Sequence, residues 1–166
     1  MKRARRIVTI VLGTLALGYV LLCGALFVWQ RDVLFPAPEQ LGEVWPGARR
    51  VDVPDGTFFL FREVAGDGPV VVHFHGNAEQ VSNLSWLADE LARRGASLVA
   101  VEYPGYPGTK GGPSEDALLA ASEAALQHLT TTLKVDRGRL VLQGQSVGTG
   151  VAVELARRGW GRRLAL

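Results

Sequence analysis

The sequence predicts an α/β fold in which a mostly parallel sheet is covered by helices on both faces. The fold is predicted from the order of apolar patterns along the chain. Short apolar runs, rich in β-branched residues, alternate with longer segments of helical periodicity. Strands that alternate with helices imply right-handed crossover connections, and such connections build parallel sheets. A second observation adds one transmembrane helix before this fold, because residues 7–29 contain no charged side chain.

The apolar segment at 7–29 is long enough to cross a membrane. As a helix it would span about 35 Å, and the hydrocarbon core of a bilayer is about 30 Å thick. The basic residues Lys2, Arg3, Arg5 and Arg6 precede it. They predict a single-pass protein with a cytoplasmic N-terminus and its folded domain on the non-cytoplasmic side. A cleaved signal peptide is the alternative, although its apolar core is normally only about 7–15 residues long.

Charge and cysteine content exclude several function classes. Four of the eighteen basic residues lie within the first six positions, which leaves fourteen basic against sixteen acidic residues after Arg6. The basic charge therefore belongs to the membrane segment, and the sequence predicts no nucleic-acid partner. Cys23 is the only cysteine, so a disulfide framework and a cysteine-based metal site are both excluded. We expect no metal and no cofactor.

Three regions are predicted along the chain: a basic tail and membrane anchor at 1–30, a proline-containing tether at 31–48, and the α/β domain at 49–166. The domain is expected to begin with an antiparallel hairpin of 49–53 and 57–63, because Pro54-Asp55-Gly56 is a turn sequence. The later elements are apolar runs that predict strands and periodic segments that predict helices. In order they are a strand at 70–75, a helix at 78–94, a strand at 97–103, a helix from Ser114 to about Leu129, a strand at 139–143, a helix at 147–156, and the start of a strand in RRLAL.

The sequence GQSVG places a serine where a buried strand is predicted to run into a helix. A chain that turns so sharply crowds its own backbone, and glycines on either side relieve the crowding. Gly144 and Gly148 are therefore expected to support the turn, with the Ser146 hydroxyl presented above the sheet. This strand–turn–helix arrangement of G-x-S-x-G is the nucleophile elbow of α/β-hydrolases. It predicts that Ser146 is a nucleophile.

The sequence HFHGN ends the earlier buried strand, seventy residues before the serine. In α/β-hydrolases the loop after this strand supplies one oxyanion-hole N–H, and the residue after the nucleophile supplies the other. Here these residues are Asn77 and Val147, and we expect His75 and Gly76 to support the loop. Such donors stabilise the oxyanion that forms at the attacked carbonyl, each by about 3–4 kcal/mol.

Three motifs in this order, HFHGN, EYPGYPGTKGGPSE and GQSVG, resemble those of the membrane-anchored α/β-hydrolase-domain serine hydrolases. The segment WQRDVLFPAP after the apolar helix is similar to that family too. The similar subgroup is related to protein depalmitoylases and lysophospholipase-like esterases. The resemblance implies an α/β-hydrolase fold and an acyl ester or thioester substrate near the membrane, either lipid-like or an acylated protein. It also implies roles for Ser146 as nucleophile, for Asn77 and Val147 in the oxyanion hole, and for Tyr103, Gly105 and Tyr106 in the loop beside the pocket.

The triad of this fold runs in the order serine, acid, histidine, and no histidine follows Ser146. His73 is expected to pack in the core, His75 to brace its loop, and His128 to lie exposed on a helix. The acidic residues Asp116, Asp136 and Glu154 are explained equally well by a helix start, a turn and a solvated helix face. We therefore expect the sequence to be the N-terminal portion of a longer hydrolase. The alternative is a catalytically inactive, membrane-tethered interaction module.

Overall fold

The computed structural model describes residues 2–166, and these divide into two compact units, one ending at Leu34 and the other running from Phe35 to Leu166. The first unit is a single helix, α1 (Lys2–Leu34), of 33 residues with a mean hydropathy of 2.3 in an 18-residue window. It is about 50 Å long at 1.5 Å per residue, and none of its described residues is buried. By length and composition it is a candidate membrane span.

Helix α1 continues past the position where we expected the tether to begin. Arg31 and Asp32 mark the return to polar sequence, but they do not interrupt the helix, which ends at Leu34. The structural reason is Pro36, since the residue before a proline is disfavoured in the helical conformation. Within the segment predicted as a tether, Trp45 is only 3% exposed, and its indole Nε1 donates to the Val81 carbonyl at 2.9 Å.

The second unit is built on a six-stranded sheet. Its strands are β1 (Arg49–Asp52), β2 (Phe58–Arg62), β3 (Val70–Phe74), β4 (Ser97–Val101), β5 (Leu140–Gly144) and β6 (Arg163–Ala165). Their order in the sheet is β1-β2-β4-β3-β5-β6. Strands β1, β2 and β4 are antiparallel neighbours, whereas β4, β3, β5 and β6 run parallel to one another. The mostly parallel sheet predicted from the sequence is confirmed.

The predicted hairpin at the start of the domain is present, and its turn is closed by side-chain as well as backbone bonds. The Val53 amide donates to the Thr57 carbonyl at 2.9 Å. The Asp55 carboxylate accepts from both the amide and the hydroxyl of Thr57, at 2.9 and 2.6 Å. Gly56 has a φ of 90°, which favours glycine at this position.

Helices cover both faces of the sheet, as predicted. They are α2 (Ser85–Arg93), α3 (Glu115–Thr131) and α4 (Val147–Arg157), with short 3-10 turns at Val81–Leu84 and Arg137–Arg139. Adjacent strand residues point to opposite faces, so Phe59 joins the core under α3 and α4 while Phe58 joins the core under α2. Ser114 caps α3 by accepting from the Ala117 amide at 3.2 Å.

The helix expected at 78–94 begins later than the sequence indicates. Ala78 has a φ of 57°, and Gln80 is extended with φ −145° and ψ 158°. Neither conformation continues a right-handed helix. The chain instead makes a loop from Gly76 to Gln80, one 3-10 turn, and only then α2 from Ser85. The apolar periodicity of this region therefore placed the start of the helix too early.

Candidate active site

Ser146 occupies the turn between β5 and α4 in a backbone conformation that few residues adopt. Its φ is 51° and its ψ is −119°, and it is exposed. Backbone conformations of this kind cost about 1–3 kcal/mol, and they persist where the surrounding structure enforces them. The strained serine at the end of a parallel strand corresponds to the predicted elbow.

Two glycines allow the chain to make this turn. A Cβ atom on Gly144 would lie 2.4 Å from the Gly148 carbonyl oxygen, and a Cβ atom on Gly148 would lie 2.1 Å from the Phe74 carbonyl oxygen. Both distances are far below any real contact, so a side chain at either position would force backbone to move. The Gln145 amide also donates to the Phe74 carbonyl at 3.0 Å. The elbow therefore lies directly against the end of β3.

The loop that follows β3 borders the serine. A Cβ atom on Gly76 would lie 3.4 Å from the Cβ atom of Ser146. The Gly76 amide donates to the Glu79 carboxylate at 3.2 Å, and the next residue, Asn77, is exposed. Val147 is the first residue of α4, and the first amides of a helix have no partner within it. The two segments predicted to provide oxyanion donors thus meet at Ser146.

His75 is fully buried, and both of its ring nitrogens are engaged away from solvent. Its Nε2 lies 2.8 Å from Glu102 Oε1, and its Nδ1 lies 2.8 Å from the Gly76 carbonyl oxygen. Its ring packs between Tyr103 and Tyr106, at centroid distances of 4.2 and 5.0 Å. These contacts fit the expected bracing of the loop.

Tyr103 and Tyr106 connect the loop after β4 to the loop after β3. The Tyr103 hydroxyl donates to the His75 carbonyl at 3.2 Å, and the Tyr106 hydroxyl donates to Asn77 Oδ1 at 3.3 Å. Burial raises the pKa of Tyr103 well above its usual value, and burial also raises the pKa of Tyr106. Both hydroxyls therefore stay protonated and act as donors at neutral pH.

Glu102 was missed by the sequence analysis, although its carboxylate binds three groups beside the site. It is fully buried, and its carboxylate accepts from the Val81 and Tyr103 amides at 3.1 and 3.2 Å in addition to facing His75. A signal was present in the sequence, since Glu102 is a charged residue directly after an apolar strand. Only the pairing of β3 with β4 reveals its partner.

The other two histidines make no hydrogen bond to Ser146 within residues 2–166. His73 is 3% exposed, and neither of its ring nitrogens has a partner in hydrogen-bonding geometry, although its cross-strand neighbour Gln143 is close. Burial lowers the pKa of His73, and the Gln143 side chain partly opposes this effect. His128 is half-buried, which corrects the expectation of an exposed ring, because the turn of α3 brings it edge-on to Phe59 at 6.2 Å between centroids.

The positions and contacts of three acidic residues, Asp116, Asp136 and Glu154, are those of structural residues. Asp116 lies in the first turn of α3, and Asp136 accepts from the Gly138 amide at 2.8 Å. Glu154 is bound by Arg157 and Arg158, which lower its pKa to about 2. Within residues 2–166 no group of three His, Cys, Asp or Glu side chains is placed to hold a metal ion.

Comparison with known proteins gives a fold and a set of relatives. No family model matches the chain. It is 32% identical, over 94% of its length, to the uncharacterized protein Rv2307c of Mycobacterium tuberculosis, and it spans 58% of that relative. The chain therefore spans little more than half of the length of this curated relative.

Two solved structures show the architecture. An alpha-beta hydrolase from Vibrio vulnificus superposes with a TM-score of 0.66 at 19% identity, over 80% of this chain and 54% of that one. A hyperthermophilic esterase from the archaeon Pyrobaculum calidifontis superposes with a TM-score of 0.55 at 19% identity, over 70% and 42%. The chain from Phe35 onward has an α/β-hydrolase fold, which confirms the predicted fold class.

Proposed function

We propose that the chain carries the nucleophile and oxyanion hole of a membrane-anchored serine hydrolase that cleaves carboxylic esters or thioesters. The observation that carries this proposal is the strained conformation of Ser146 between two obligatory glycines, directly beside the loop after β3. Strain of this kind concentrates at functional sites. Esterase chemistry on the same fold, as in the Pyrobaculum calidifontis protein, supports the choice of reaction.

In the proposed reaction the Ser146 hydroxyl oxygen attacks the acyl carbon, and its proton passes to a general base. The amides of Asn77 and Val147 donate to the oxyanion, which collapses to an acyl-serine as the alcohol or thiol leaves with a proton. In the second half of the reaction water attacks the acyl carbon, the bond between Ser146 Oγ and that carbon breaks, the carboxylic acid leaves, and a proton returned from the base regenerates the hydroxyl. The proposal places the base and its acid outside residues 2–166, and the greater length of Rv2307c is compatible with this placement.

The membrane part of the proposal rests on α1. The four basic residues at its start favour a cytoplasmic N-terminus, with the hydrolase domain on the other side of the membrane. An anchored domain would act on acyl groups near the bilayer, either lipids or acylated proteins, as the depalmitoylase-like and lysophospholipase-like resemblance implies. Reporter fusions after residue 48 test the orientation, since a reporter that is active only in the cytoplasm should stay silent there.

The test of the reaction uses the full-length protein in detergent or nanodiscs. A fluorophosphonate probe should label the protein, and a p-nitrophenyl ester should be hydrolysed. Ser146→Ala should abolish both, whereas Ser85→Ala, which changes an exposed serine at the start of α2, should change neither. Equal labelling of Ser146→Ala and the unchanged protein would refute the assignment of the nucleophile.

A second candidate function is an inactive, membrane-tethered interaction module. It is favoured by one observation, that no histidine among residues 2–166 hydrogen-bonds to Ser146. A serine without its base retains only residual catalysis. Full-length protein that neither reacts with the probe nor hydrolyses any short-chain ester would support the module and overturn the hydrolase.

A further inference from the structure

The buried pair His75–Glu102 is created by the register of the two central strands. Phe74, the last residue of β3, pairs with Val101, the last residue of β4. His75 and Glu102 are therefore the next residues along two neighbouring parallel strands, and both side chains are fully buried. A carboxylate placed in a protein interior is costly unless it is paired and hydrogen-bonded.

Glu102 meets that requirement by binding both ends of one loop. Its Oε1 faces His75 Nε2 at 2.8 Å, at the start of the loop, and its Oε2 accepts from the Val81 amide at 3.1 Å, directly after the loop. The loop between these two residues, 76–80, contains Asn77 and the positive φ of Ala78. One carboxylate thus closes the segment that borders Ser146.

The hydrogen atoms of this network can be assigned from its acceptors. His75 Nδ1 lies against the Gly76 carbonyl oxygen, which only accepts, so Nδ1 carries a hydrogen. Glu102 Oε1 also receives the Tyr103 amide at 3.2 Å. One hydrogen lies between His75 Nε2 and Glu102 Oε1, so a hydrogen bond joins the two side chains in addition to the two amide bonds that Glu102 accepts.

We propose that Glu102 is a positioning residue, which through its hydrogen bonds to His75 and Val81 holds loop 76–80 so that the Asn77 amide faces the oxyanion formed at Ser146. This inference rests on the proposed function, since it gives the loop a role in the same reaction. Glu102 acts through other residues and does not itself contact the acyl group.

Two tyrosine hydroxyls connect His75 and Asn77 to the loop after β4. The Tyr103 hydroxyl donates to the His75 carbonyl, and the Tyr106 hydroxyl donates to Asn77 Oδ1. Both tyrosine rings pack on the His75 ring. Loss of the carboxylate therefore releases His75, the rings that hold it, and the loop together. Glu79 holds the Gly76 amide from the solvent side and cannot replace the bond to Val81.

The test compares Glu102→Gln with Leu87→Ala, a core variant on α2 that loosens the apolar cluster it shares with Val81 but removes no hydrogen bond of the network. Glutamine keeps the shape, but in either orientation its NH₂ group replaces one of the two oxygens that bind His75, Tyr103 and Val81, so at least one of these bonds is lost. Removing one oxyanion donor outright lowers kcat by about 10²–10³. Misplacing that donor should lower kcat by roughly tenfold or more with KM nearly unchanged, as expected for an interaction made in the transition state. Leu87→Ala, at equal folded fraction, should retain its kcat.

Two spectroscopic measurements on the full-length protein separate failure of this inference from failure of the proposed function. In the unchanged protein, the ¹⁵N signal of His75 Nε2 should report a hydrogen bond to Glu102, and Glu102→Gln should shift that signal. Amide exchange at Asn77 and Ala78 should accelerate in Glu102→Gln and not in Leu87→Ala. These readouts need no turnover, so they decide the role of Glu102 in the loop even if Ser146 proves unreactive.

Equal kcat values for the two variants, or unchanged amide exchange in loop 76–80, would overturn the proposal. An Nε2 signal that is the same in Glu102→Gln and in the unchanged protein would overturn the bond between His75 and Glu102. Should Glu102→Gln not fold, Glu102→Asp provides the same comparison, because it keeps the charge but is too short to reach His75 and Val81 together.

Discussion

Gly148→Ala adds one methyl group at the point where the elbow contacts the end of β3. The new Cβ atom would lie 2.1 Å from the Phe74 carbonyl oxygen and 2.8 Å from that of His75. Ordinary contacts begin near 3.4 Å, so the backbones of α4 and β3 must separate by more than an ångström. That movement also breaks the bond between the Gln145 amide and the Phe74 carbonyl, which is now 3.0 Å long.

The expected cost follows from three contributions. Overpacking of this kind costs about 1–3 kcal/mol, and the lost hydrogen bond costs about 0.5–1.5 kcal/mol. Alanine in place of glycine within a helix returns about 1 kcal/mol. We therefore expect Gly148→Ala to lower the free energy of unfolding by about 2 kcal/mol, which lowers Tm by roughly 8 °C for a domain of this size.

Gly150→Ala is the matched control, since it makes the same change two residues later in the same helix. A Cβ atom at Gly150 meets nothing within 4 Å, so only the helix propensity acts. We expect this variant to raise the free energy of unfolding by about 0.5–1 kcal/mol. The assay is thermal unfolding of the full-length protein, followed by near-UV circular dichroism. Similar Tm values for the two variants would refute the close contact between α4 and β3.

Three further changes have defined outcomes in the same unfolding assay. Ser146→Gly should raise the free energy of unfolding by about 1 kcal/mol because glycine removes most of the backbone strain. Ser146→Ala should not raise it, and equal stabilities of the two variants would contradict the strain at Ser146. Ser114→Ala should lower the stability by about 1 kcal/mol, since the Ala117 amide loses its cap, and an unchanged Tm would argue against the cap. His73 has a pKa below its ordinary value of 6.5 in the folded state, so the unfolded chain binds its proton first and stability falls as the pH drops below about 6.5. The free energy of unfolding, measured by urea titration at pH 7.5 and 5.5, should therefore differ less between the two pH values in His73→Leu than in the unchanged protein. An equal difference in both proteins would contradict this prediction.

The parts of the molecule that the sequence predicted correctly are those that depend on local chemistry. The Pro54-Asp55-Gly56 turn and the helix that begins after Ser114 each have a reason within a few residues of chain. The errors arose where distant groups decide the conformation. The start of α2 was placed too early because the loop at Ala78 is held by the carboxylate of Glu102, the residue after β4, and His128 was expected to be exposed although Phe59 of β2 packs against its ring.

Glu102 illustrates why the candidate site was only partly visible in the sequence. A local pattern identifies Ser146, since its glycines are neighbours in the chain, but His75 and Glu102 are separated by an entire βαβ crossover. Their pairing exists only because Phe74 and Val101 are in register at the ends of two parallel strands. The same register places the loop after β3 against the elbow after β5, since Phe74 also pairs with Gly144. Three parallel strands that end at one level therefore bring together the nucleophile, the loop beside it and the carboxylate that holds the loop. Lengthening any one strand by a residue would separate them, so sheet register is the property on which this site depends.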